Sequence, residues 1–136
     1  MTGMNSIQRL RPAGLVSSPA FSHVAIVPPG ATTIYIGGQN SVDADGALVG
    51  ADEMAAQSRR ALSNARTALE AAGATIDDVV QWTVLFVDGA DLAAAYGAIA
   101  SDLASDEPPL VTGAQVAGLG VPGSLVEIGA VAALIR

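Results

Sequence analysis

The chain has 136 residues, with 6 arginines and no lysine against 13 Asp and Glu, for a formal charge of −7. That balance excludes a grip on a nucleic-acid backbone, which cationic side chains supply through counterion release, and it disfavours anionic membrane surfaces. With no cysteine, disulfides, thiolate metal sites and thiol nucleophiles are excluded, and the absence of lysine excludes Schiff-base catalysis on an enzyme amine.

Residues 1–20 hold Pro12, Gly14 and Pro19 and read as an irregular lead-in to a single domain over residues 21–136. Phe21 to Val27 and Thr33 to Gln39 read as strands, and Pro28-Pro29-Gly30 between them predicts a hairpin. Asp43 to Gly46 is a turn, with a short strand expected at Ala47 to Val49. Asp52 to Ala72 repeats small and apolar residues at spacings of 3 and 4, from Ala55 and Ser58 to Leu69 and Ala72, which predicts a helix. Asp52 and Glu53 are expected in its first turn, where they favour the helix dipole, and Gly73 ends it.

Val79 to Val87 alternates, with Val80, Trp82, Val84 and Phe86 on one face, and is the clearest strand. A second helix follows, with Asp88 expected as its cap and Leu92, Tyr96, Ile99 and Leu103 as its apolar stripe, until Pro108-Pro109 stops it. Leu110 to Val116 and Leu125 to Ile135 read as closing strands. The order β-β-(β)-α-β-α-β-β predicts an α+β fold and not a doubly wound sheet.

The 51% hydrophobic content and mean hydropathy of +0.46 are high for a soluble domain. Pro and Gly interrupt both long uncharged stretches, Pro12 to Val42 and Pro108 to Val126, so no spanning helix is expected. Met1 to Pro12 lacks the basic start and apolar run of a signal peptide, so a cytoplasmic location is expected. Burial of apolar surface against copies of the same chain is expected as well.

Several segments together resemble one family. They are Tyr35-Ile36-Gly37-Gly38-Gln39, the Asp43 to Gly46 turn, Leu69-Glu70-Ala71-Ala72-Gly73, Asp77-Asp78-Val79-Val80, the Thr83 to Val87 strand and Leu125-Val126-Glu127-Ile128. Their order and spacing resemble the RidA/YjgF family of reactive-intermediate deaminases, long labelled endoribonuclease L-PSP. The resemblance implies a chorismate-mutase-like sheet packed by two helices, a homotrimer, and small-molecule clefts between neighbouring subunits. In the deaminase subgroup an arginine pairs with the carboxylate of a 2-imino or enamine acid, and a glutamate positions the attacking water. No cofactor is expected.

Carried over by position, the resemblance puts the glutamate on Glu127 and the arginine on Val111. Pocket-lining positions fall on Phe21, Gly37, Tyr96 and Gly113, with the Gly38 backbone retained. Valine offers neither charge nor donor, so the expected ligand is neutral or less polar than an imino acid. Thr112 and Gln115 border Val111 and are candidate polar contacts. Glu127 lies among Val126, Ile128, Ala130 and Val131, an apolar setting that disfavours the charged carboxylate and suits a general acid or base; the alternative is a solvent-facing or intersubunit residue. His23, the one histidine, is a candidate ligand contact or a structural ring, and with no second histidine no metal site is expected. Two functions stay open: hydrolysis of a small imine or enamine through Glu127, and binding without catalysis. Acidity and the absence of lysine oppose the ribonuclease of the old label.

Overall fold

The computed structural model describes residues 6–136. Alternating Val, Thr and aromatic residues build four strands into one sheet: β3 (Thr32–Gln39), β4 (Val79–Val87), β5 (Leu110–Val116) and β6 (Val126–Leu134), in the order β3-β6-β4-β5. The last strand, β6, lies inside the sheet and is antiparallel to both β3 and β4, while β4 and β5 run parallel. A parallel pair needs a crossover, and α2 (Leu92–Leu103) provides it.

The long helix α1 (Met54–Ala71) forms where the small-residue stripe predicts it and buries Ala61, Leu62, Ala65 and Leu69. These meet Val126, Ile128, Ala130 and Ala132, the alternate residues of β6, to make the core on one face of the sheet. Gly73, at a φ of 77°, ends the helix in the left-handed conformation. The other face carries no helix: register puts Thr33 and Tyr35 of β3 beside Ala133 and Val131 of β6, and Tyr35 is 79% exposed.

Three expectations about the ends and partners of these elements are corrected, and a fourth element shrinks. The hairpin of Phe21–Val27 with Thr33–Gln39 does not form. The first segment shortens to β2 (Val24–Ile26) and pairs with β1 (Gln8–Leu10), which lies within the expected irregular lead-in, whereas β3 pairs with β6. The Pro28-Pro29-Gly30 turn therefore joins two different sheets. Asp52 and Glu53 precede α1 and do not lie in its first turn; Asp52 takes a φ of 62° as the chain turns into the helix. The cap of α2 is Asp91, whose carboxylate accepts from the Ala94 N–H at 3.0 Å, while Asp88 accepts from Gln115 Nε2 at 2.6 Å. The expected Ala47–Val49 strand is reduced to a single bridge between Val42 and Leu48.

Candidate active site

Glu127 is placed by the alternation of β6. Its neighbours Val126 and Ile128 point to the helices, so its own side chain projects from the helix-free face. Of the apolar neighbours expected around it, Val126, Ile128 and Ala130 occupy the opposite side of the sheet, while Val131 shares its face. Glu127 is half-buried and its closest polar partner is Asn40, whose Nδ2 donates to Oε1 at 3.2 Å. The Asn40 amide is itself oriented, since Ser124 Oγ donates to its Oδ1 at 2.6 Å. The Asn40 backbone oxygen accepts from Asn64 Nδ2 at 2.9 Å, and Asn64 Oδ1 accepts from Arg60 Nε at 3.1 Å. A chain of polar groups from α1 thus fixes the carboxylate.

The space for that carboxylate comes from glycine. Between Ile36 and Gln39, β3 gains one residue on β6, so Gly37 and Gly38 form a bulge beside Gly129. A Cβ on Gly38 would lie 2.5 Å from Cδ of Glu127. Because the obstructed group is the flexible end of a side chain, Gly38→Ala is expected to fold with a stability loss under about 1 kcal/mol. Glu127 must swing away from Asn40, however, and misplacement of a reacting group by ~1 Å costs up to about a hundredfold. A tenfold or greater fall in any Glu127-dependent turnover, with an unchanged unfolding curve, checks this.

The remaining candidates divide between the two faces. Val111 pairs in register with Trp82 on the helix side of β5 and is 46% exposed. Tyr96, on α2, is 53% exposed, and both side chains line a cavity of about 710 Å³ between α2 and the sheet. Gly113 lies opposite Val84 on that same side, where a Cβ would meet the Phe86 ring at 3.8 Å. Thr112 faces the helix-free side, its hydroxyl accepting from Gln81 Nε2 at 3.4 Å, and Gln115 is engaged by Asp88. The Phe21 and His23 rings meet edge to face with centroids 5.4 Å apart, and His23 Nε2 is bonded to the Val16 carbonyl at 2.7 Å. The Ser22 N–H donates to the Pro109 carbonyl at 3.1 Å, which holds this segment beside the start of β5. His23 is therefore a tethered ring in this chain.

Within one chain, then, Glu127 with Gly38 and Val111 with Tyr96 stand on opposite faces of the sheet. Asn40, Ser124 and Asn64 are site residues that sequence reasoning missed; the polar Asn40 directly after a strand is the one local signal for them. Among the described residues, no group of three or more His, Asp or Glu could hold a metal ion. No helix there is long and apolar enough to cross a membrane.

A family model described as Endoribonuclease L-PSP matches residues 13–134. Among solved structures, the chain is similar to YyfB of Yersinia pestis, described as a protein of unknown function of the conserved Rid family, at 31% identity and a TM-score of 0.81, covering 96% of this chain and 100% of that one. It is similar to RidA of a Psychrobacter species at 28% identity and a TM-score of 0.67, covering 93% and 94%. The YjgF gene product of E. coli matches at 30% identity and a TM-score of 0.66, covering 78% and 83%.

Proposed function

The chain belongs to the endoribonuclease L-PSP family, which includes the RidA and YjgF proteins, and from that premise we propose that it hydrolyses a small neutral imine or enamine with Glu127 as the catalytic carboxylate. The observation that carries the reading is the Glu127 carboxylate held by Asn40 over a glycine bulge, where any side chain at position 38 would displace it. The carboxylate takes a proton from a water, whose oxygen bonds to the imine carbon while the C=N electron pair moves to nitrogen. Glu127 passes that proton to nitrogen, the hydroxyl proton of the resulting carbinolamine then moves to the amino nitrogen, and the C–N bond breaks to release ammonia and leave a carbonyl compound.

Glu127 and the Val111–Tyr96 pair lie on opposite faces of the sheet, so one chain alone does not bring the carboxylate to that pocket. A homotrimer with clefts between neighbours, as the family resemblance implies, would bring Glu127 of one subunit to Val111 and Tyr96 of the next. The helix-free sheet face, with its exposed Tyr35, supports burial against copies of this chain. The substrate is neutral because Val111 supplies neither charge nor donor for a carboxylate; a charged hydrogen bond there contributes about 1.5–3 kcal/mol.

The test compares ammonia release from imines made by an amine oxidase with that from 2-imino acids made by an amino-acid oxidase. The wild type is expected to accelerate the first and not the second, and Val111→Arg to gain at least tenfold on 2-imino acids. Equal acceleration of both by the wild type would overturn the neutral-substrate assignment. A second reading, binding without catalysis, is favoured by the apolar surroundings of Val111 and is distinguished by inertness toward both imine sources.

A further inference from the structure

We propose that the space between α2 and the sheet is a binding site, complete within one chain, for a neutral and mainly apolar small molecule carrying one hydroxyl or carbonyl oxygen. This extends the reading above by naming the ligand class at Val111 and Tyr96, and it rests on that reading only for the role of those two residues as the mouth.

The cavity, about 710 Å³, opens to the surface past Leu92, Tyr96 and Val111. It falls within the roughly 300–1,000 Å³ of sites that hold drug-sized ligands. The sequence explains why it stays open: α2 packs on α1, and its inward positions Ala95 and Ala100 are too small to fill the gap beneath it. Trp82, Phe86, Ile99 and Ile128 give the walls an apolar character. Phe86 and Val84, which the alternation of β4 aims at a core, are only half-buried.

Two polar features select the ligand. Ser58 lies in the lining, is 1% exposed, and its hydroxyl has no hydrogen-bond partner. A buried hydroxyl left unpaired is costly, and its proton rotates to suit an incoming oxygen. The second feature is charge: no Arg or His lines the cavity, and the one ionisable carboxylate there is Asp106 at the rim. Arg11, which donates to the Asp106 backbone oxygen at 2.9 Å, stands at the rim and not in the lining; an anionic head inside would meet no cation, so an alcohol or ketone fits where a fatty acid does not.

Equilibrium binding tests this without turnover, so a protein that hydrolyses nothing still decides it. Nile red, a neutral apolar fluorophore, is titrated into the protein and then displaced by decanol or by decanoate. Saturable binding of one Nile red per chain is expected, with decanol displacing it at least tenfold more tightly than decanoate. Ala95→Phe fills the cavity and is expected to weaken both Nile red and decanol at least tenfold; Ala100→Leu does the same from the next turn should the first variant not fold. Ser58→Ala is expected to weaken decanol by roughly fivefold. Binding that ignores both filling variants would put the probe elsewhere, for instance on the helix-free sheet face, and would overturn the site. Decanoate binding as tightly as decanol would overturn the ligand class.

Discussion

Replacing Glu127 with Gln is expected to lower imine hydrolysis by at least a hundredfold while leaving the thermal unfolding midpoint almost unmoved. The substitution keeps the shape of the side chain, and the new amide oxygen still accepts from Asn40 Nδ2, which donates at 3.2 Å to the native carboxylate. What is lost is the capacity to take a proton from water, and general base catalysis typically supplies about 10²–10⁴ in rate. Steady-state ammonia release beside a thermal melt checks both halves. An E127Q protein that keeps its rate would remove Glu127 from the chemistry and leave the binding reading in its place.

Gln57→Leu is expected to be the most damaging single substitution for stability. Gln57 is fully buried on α1, and both ends of its amide are engaged by the surrounding loops. Its Nε2 donates to the carbonyls of Gly50 and Gly123 at 3.1 and 3.2 Å, and its Oε1 accepts from the Leu125 N–H at 2.8 Å. Leucine is close to it in volume and meets none of the three groups, each of which costs about 1–3 kcal/mol if left dry. With partial relief from water, a loss of about 3–5 kcal/mol is expected, which shifts the melting temperature by roughly 10 °C or more. Denaturant unfolding should show the midpoint falling at constant slope. Because the contacts at Gly123 and Leu125 lead directly into β6, this variant is also expected to lose activity through the position of Glu127.

Much of the fold is legible where the signal is local. The alternation over Val79–Val87 and Leu110–Val116 marks β4 and β5 to the residue, and the small-residue stripe with Gly73 marks α1. Pairing is a different matter. Pro28-Pro29-Gly30 is a strong turn signal, yet the strands on either side of it belong to separate sheets, because β6 offers β3 a longer antiparallel partner from the far end of the chain. The site shows the same limit. Glu127 and Asn40 are 87 residues apart and Ser124 and Asn40 are 84 apart, so no spacing rule links them. Glu127 can be named from the sequence because a short closing motif surrounds it. Asn40 becomes a site residue only when the fold places it beside the carboxylate.

The position of β6 has a consequence for how the molecule is made. Of the four strands of this sheet, the one latest in chain order, β6, occupies an inner place, between β3 and β4. Until Val126–Leu134 leave the ribosome, β3 and β4 each present an unpaired edge, and the stripe of α1 lacks the strand that supplies Val126, Ile128, Ala130 and Ala132 to its core. At translation rates of about 5–20 residues per second, that interval lasts on the order of seconds after β4 is complete. The nascent chain is until then an open form with adhesive edges, and productive folding waits for Val126–Leu134. Losing β6 alone would remove the strand on which the sheet assembles and leave the edges of β3 and β4 open to pairing with other chains.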